Sequence, residues 1–305
     1  MLSSMTLFIR TLFFALVGLA TAPFLSADAA TQEWVDLIDP ELSHWELWMG
    51  VPHETVTGLP KGTAVSADGK TGIPLGLAND PLNVFSVIKQ DGELVLKITG
   101  EIYGGLTTVK EFSNYHLRLE TKWGKNIWEP RLTRPRDSGL LFHCTGAHGA
   151  FWNVWMSCIE LQVEQNNFGD LYCLAGTSAQ VAGKPRGNLW AYDPQGELKL
   201  IGSRPDAETL VSKRSENHEK EGQWNQIDLY VLGDRAYFLT NGHVVHALLD
   251  TELTRAGVSQ SLTSGKLPNC RSKAKPPRST TGVFKCARSR RSLLKCWCKP
   301  VIRTG

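Results

Sequence analysis

The chain has 305 residues, 42% apolar and 21% charged, with a formal net charge of +3. That composition excludes a collagen-like, a wholly disordered and a multi-span membrane protein, and it fits one or two domains. The charge is split: 12 of the 33 Lys and Arg lie in residues 266–305, where there is no Asp or Glu, so the rest of the chain carries 21 basic against 30 acidic side chains, a net of −9. An acidic body excludes a broad nucleic-acid surface, which requires a basic footprint.

Residues 1–29 are predicted to be a signal peptide with a short helix. Arg10 precedes an apolar run over 11–25, and Ser26-Ala27-Asp28-Ala29 offers a small-x-small cleavage site before Ala30. The run is shorter than the ~20 residues of a spanning helix. No stable membrane insertion is expected after cleavage, and the mature body is expected to be secreted or periplasmic. Cys144, Cys158 and Cys173 lie in the body and allow one disulfide with one thiol left over. Cys270, Cys286, Cys296 and Cys298 lie in the basic tail, and none of the seven has zinc-site spacing.

From residue 33 onward the pattern has period two. Residues 93–99 follow an Asp91-Gly92 turn. In 115–123, Tyr115, Leu117, Leu119, Thr121 and Trp123 share one face, and His116, Arg118, Glu120 and Lys122 share the other. Residues 158–164 alternate again. The stretches 224–232, 236–240 and 243–248 form a meander turned at Gly233-Asp234 and Asn241-Gly242. Short alternating runs with such turns predict antiparallel sheet, and their number predicts a single all-β, jelly-roll sandwich over 33–267. The one helical candidate is 206–213.

In a sandwich one face of each sheet is core and the other is wet. Glu160, Gln162 and Glu164 share one face of one strand, and Glu120 and Lys122 share one face of another. If these strands are neighbours, they line a carboxylate-rich groove. Solvated surface strands also carry such residues.

These residues resemble the 3-keto-disaccharide hydrolase family, whose fold is the concanavalin A-like sandwich. Trp34-Val-Asp-Leu-Ile-Asp39 with Trp45 is similar to its opening strand. Asp91-Gly92-Glu-Leu94, Leu106-Thr-Thr108 and Phe112-Ser-Asn-Tyr-His-Leu-Arg-Leu-Glu120 follow in the family's order. Asp137-Ser138-Gly139 stands where the family usually has Asn-Ser-Gly. Cys158-Ile-Glu-Leu-Gln-Val-Glu164 with Gly169-Asp170 resembles its central strand, and Gly222-Gln-Trp-Asn225 its last meander.

The resemblance implies cleavage of 3-keto-glycosides by removal of the proton beside the keto group. That chemistry asks for a base, a partner for the enolate, and an acid near the leaving oxygen. The nominees are Glu160 and Glu164 as acid/base, His143 as a further base, and Gln162, Glu120, Lys122 and Trp155 as substrate contacts. A divalent metal held by His143 and a carboxylate is an option for the enolate role, and no other cofactor is implied. Carbohydrate is the expected partner, with no nucleic acid.

Two rivals stay open. Glu160-Leu-Gln-Val-Glu164 is also similar to the Glu-x-Asp-x-Glu strand of laminarinases, which work by retention with two Glu. Gln162 replaces the central Asp. The other rival is a carbohydrate-binding module without turnover.

Residues 268–305 are expected to be a disordered basic tail. Alternation stops, acids vanish, and the family's closing strand is not visible. Read one base out of frame, residues 269–288 give LPIEGEAAEVYYRRVQVRP, a turn followed by an alternating strand. A frameshift explains the tail better than a genuine polyanion-binding segment.

Overall fold

Asp91 and Gly92 both take positive φ, +52° and +86°, as do Asn241 and Gly242 at +50° and +83°. These are the backbone twists that tight hairpins need, and Gly, Asp and Asn are the residues that tolerate them. Strands form on either side of each turn, and the same rule repeats along the chain. The computed structural model describes residues 34–263 and the backbone of three later strands, Gly265–Lys266, Asn269–Arg271 and Thr280–Lys285. The signal peptide and most of the tail, with the frameshift reading, lie outside the described residues. No helix occurs among the described residues, so none is long and apolar enough to cross a membrane.

The strands make two layers, antiparallel throughout except where Leu189–Tyr192 runs parallel to Val211–Lys213. The back layer runs Phe85–Gln90, Glu93–Ile98, Thr280–Lys285, Tyr115–Ile127, Asn225–Leu232, Arg235–Thr240 and His243–Arg255. The front layer has Asp137–Thr145, Ser157–Glu164, Leu171–Leu174 and Val211–Lys213 in succession. Leu189–Tyr192, Thr177–Arg186 and Glu197–Gly202 extend it. The long strand His243–Arg255 pairs first with Arg235–Thr240 and then with Thr177–Arg186, so it joins the two layers along one side. A separate antiparallel group holds Gly76–Leu77, Trp45–Met49 and Gly104–Thr108. The predicted all-β jelly-roll sandwich is therefore the fold.

Period two decides what enters the core. Tyr115, Leu117 and Leu119 of the back layer meet Leu140, Phe142, Ile159, Leu161 and Val163 of the front layer in one buried cluster. Each such side chain contributes about 1.5–3 kcal/mol by leaving water.

Three expectations differ. Residues 206–213 form no helix: Asp206 turns back to Arg204 through two hydrogen bonds of 2.6 and 2.7 Å. Val211–Lys213 is recruited as a strand between Leu171–Leu174 and Leu189–Tyr192. Cys144, Cys158 and Cys173 are all buried, and no disulfide forms among the described residues. The sequence shows no closing strand, yet the backbone of Thr280–Lys285 fills the slot between Glu93–Ile98 and Tyr115–Ile127. Both neighbours carry ladder groups that need partners, and Thr280, Thr281, Val283 and Phe284 are strand-forming types.

Candidate active site

On the central strand Ser157–Glu164, Ile159, Leu161 and Val163 point into the core. Cys158, Glu160, Gln162 and Glu164 therefore share the outer face, as the alternation predicts. The neighbouring strand sets Asp137 opposite Glu164, Gly139 opposite Gln162 and Leu141 opposite Glu160. Asn166 and Gly169, at φ +66° and +92°, turn the chain back. The returning strand Leu171–Leu174 then places Tyr172 opposite Glu160. Directly opposed side chains have Cβ atoms about 4.5–5.5 Å apart.

Glu160 lies over Gly139. A Cβ added to Gly139 would stand 2.8 Å from the Glu160 Cδ and 3.1 Å from its Cγ. Glycine at this position keeps the space that the carboxylate occupies.

The predicted groove is not wet at this point, because Glu160 is 0% exposed. Residues 151–156 fold back on themselves, with the Phe151 amide donating to the Trp155 carbonyl. This segment lays Val154, Trp155 and Met156 against Leu141, Cys158 and Leu174. Trp155, expected as a sugar platform, is fully buried in that second apolar cluster and presents no face to solvent. Trp152 beside it is half-buried, with the Lys70 Nζ 4.0 Å above its ring. On this face of the three strands, only Glu164 and Tyr172 keep part of their surface in water.

The charges around Tyr172 are largely spoken for. Arg131, buried in a loop, donates to Asp137 and, at 2.7 Å, to Glu164. Asn167 donates to the other Glu164 oxygen at 2.6 Å. Asp170 accepts from Lys213 and, at 3.0 Å, from Arg214. Burial, then the carboxylates of Asp170, Glu160, Glu164 and Asp137, push the Tyr172 phenol far up, so it stays protonated.

The remaining nominees are not brought to this face. His143 sits at an irregularity of its strand between Phe142 and Thr145, at φ +52°. It is buried, and neither ring nitrogen has a hydrogen-bond partner among the described residues. Burial lowers its pKa to about 4, and the carboxylate that partly offsets this is Asp234, in a turn of the back layer. Glu120 and Lys122 belong to Tyr115–Ile127 in the back layer, where Glu120 stands opposite Gln226. Leu119 of that strand and Ile159 of the central strand share one core, so Glu120 and Glu160 face outward on opposite sides of the sandwich. Among the described residues no group of three or more His, Cys, Asp or Glu could hold a metal ion.

Sequence reasoning passed over Tyr172, Arg131 and Lys213, and it took Asp170 only as part of a motif. Tyr172 had a signal: the turn residues Asn166 and Gly169 imply a hairpin, and a hairpin sets 172 against 160. Arg131 had none, since its loop carries no period.

A family model described as the 3-keto-alpha-glucoside-1,2-lyase-like domain matches residues 33–268. The chain belongs to this family. The ordered motifs from Trp34 to Leu267 therefore mark a carbohydrate-active, 3-keto-glucoside-lyase-like domain. No curated protein matches its sequence. A protein from Parabacteroides distasonis assigned as a glycosyl hydrolase is 18% identical, with 68% of this chain and 89% of that chain covered and a TM-score of 0.37. A laminarinase catalytic domain from Thermotoga petrophila is 12% identical, with 85% and 96% covered and a TM-score of 0.33. A carbohydrate-binding module from Bacillus subtilis is 8% identical, with 66% and 88% covered and a TM-score of 0.34. At such TM-scores these likenesses carry no argument about the activity of the 3-keto-glucoside-lyase-like domain.

Proposed function

We propose that the protein cleaves 3-keto-glucosides by elimination followed by hydration, with Glu160 as its acid/base. The 3-keto group makes the C2–H bond acidic. Glu160 takes that proton, and the electron pair moves into the C2–C3 bond and onto the keto oxygen. When the pair returns, C1=C2 forms and the C1–O bond breaks. Glu160 passes its proton to the departing oxygen, which leaves as an alcohol. Water then adds across C1=C2: its oxygen goes to C1, and one proton reaches C2 through Glu160. The sum is hydrolysis, and the carboxylate ends as it began.

The observation that carries this reading is the contrast between the two nominated carboxylates. Glu164 is held by Arg131 and Asn167, which fits it to bracing the strand. Glu160 lies in the space left by Gly139, opposite Tyr172 and fully buried. A single cycling carboxylate can serve elimination as both its base and its acid. Retention needs two carboxyl groups about 5–5.5 Å apart. Residues i and i+4 of one strand are about 13 Å apart at Cα, so a retaining pair must lean inward. Glu164 is instead held by Arg131 and Asn167, and Gln162 replaces the central Asp, so the laminarinase-like alternative is the weaker one.

Glu160 is fully buried, so a sugar ring reaches it only when covering residues shift; with Trp152 and Trp155 in the neighbouring apolar cluster, ligand binding is expected to change tryptophan fluorescence. The deciding assay is release of p-nitrophenol from a p-nitrophenyl 3-keto-glucoside and from the ordinary glucoside. Turnover of the first alone, lost in Glu160→Gln with the melting temperature kept, supports the proposal. Turnover of the ordinary glucoside, or a fully active Glu160→Gln, overturns it.

A further inference from the structure

Elimination through an enolate needs more than a base, because the keto oxygen becomes negative while water is excluded. Four observations single out one side chain for that oxygen. Tyr172 stands directly opposite Glu160 across an antiparallel ladder, on the same outer face. It is half-buried beside a carboxylate that is wholly covered, so it stands where a ring approaching Glu160 would first arrive. It packs against the second apolar cluster, to which Leu141, Cys158, Leu174 and Trp155 belong. Three of the acids around it, Asp137, Glu164 and Asp170, are each held by a named cation: Arg131 for the first two, and Lys213 with Arg214 for the third.

We propose that the Tyr172 hydroxyl donates the hydrogen bond that holds the substrate's 3-oxo oxygen as it becomes an enolate, while Glu160 takes the C2 proton. This rests on the elimination reading above.

The donor gives a hydrogen bond and keeps its proton. Burial and the neighbouring carboxylates disfavour a tyrosinate. A phenol held in that state remains a donor throughout the cycle and needs no proton returned to it. The negative charge rests on the substrate oxygen, and no bond of Tyr172 forms or breaks. A fixed donor aimed at developing charge acts without reorganising during the reaction.

The test compares the full-length wild type, Tyr172→Phe and Glu160→Gln on a p-nitrophenyl 3-keto-glucoside. A second readout is exchange of the C2 hydrogen into D2O for a 3-keto-1,5-anhydro sugar, which has no aglycone to lose. Removing one such donor typically costs about 10²–10³-fold in kcat. Tyr172→Phe is therefore expected to lose about 10²-fold in kcat, with KM and melting temperature nearly unchanged. C2 exchange should slow by the same factor, which a packing role would not cause. Site-specific 3-fluorotyrosine at 172 keeps the shape and strengthens the donor, and it should speed exchange.

A Tyr172→Phe protein within threefold of wild type in both readouts overturns the inference. If Tyr172→Phe does not fold, the fluorotyrosine protein decides: an exchange rate equal to wild type overturns it. An active wild type with an inactive Glu160→Gln and an unaffected Tyr172→Phe removes Tyr172 alone. A wild type inactive on the keto-glucoside removes the elimination reading, and Tyr172's role with it.

Discussion

Gly139→Ala changes one hydrogen to a methyl group at the spot where the site is tightest. The new Cβ would lie 2.8 Å from the Glu160 Cδ and 3.1 Å from its Cγ. Carbon atoms in good contact are about 3.5–4.0 Å apart, so the carboxyl group must move by roughly 0.5–1 Å. Its surroundings are closed, since Leu141, Cys158 and Trp155 are all fully buried. Overpacking of this kind costs about 1–3 kcal/mol. At about 2–4 °C per kcal/mol for a domain of this size, the melting temperature should fall by roughly 2–12 °C. A misplacement near 1 Å costs a catalytic group about 10²-fold in rate, so activity should suffer far more than the fold. The assay pairs a circular dichroism melt with p-nitrophenol release from the keto-glucoside. A Gly139→Ala protein with wild-type melting and wild-type rate would refute the reasoning, because neither the space nor the carboxylate would then matter.

Arg131→Met is expected to destabilise by about 3–5 kcal/mol, because it leaves buried Asp137 without its cation. Adding Asp137→Asn should restore part of the loss, and a urea titration of both proteins would show whether it does. Burial lowers the pKa of His246 and of His143 to about 4, against about 6.5 in an unfolded chain. The unfolded state therefore binds more protons between these values. Stability should be full above pH 6.5 and fall as the pH drops to 4, by on the order of 3 kcal/mol per histidine. A denaturation midpoint that stays flat across that window would contradict this. Replacing residues 269–288 with the frame-shifted reading should raise soluble yield and melting temperature, and a lower yield would speak for the present tail.

The fold was legible because alternation and Asp-Gly or Asn-Gly turns are local. They set the hairpins, the core face of Tyr115–Ile127 and the outward side of Glu160 without any knowledge of the whole. What alternation cannot give is which strands are neighbours. Glu120 and Lys122 have the right face of the wrong layer for that reason. Trp155 failed as a platform because its burial depends on how residues 151–156 fold back, a tertiary matter. Glu164 looked equivalent to Glu160 on the strand. What distinguishes them is tertiary: Glu160 is wholly buried, and Glu164 is held by Arg131, whose loop has no pattern to read.

The slot taken by Thr280–Lys285 lies between two strands that were synthesised long before it. Until that late segment leaves the ribosome, both neighbours hold open ladders in the middle of a layer. Closure of the back layer therefore waits on a long-range contact, the slow kind. A genetic lesion near the 3′ end, which in many proteins would trim an overhang, here strikes the centre of a sheet.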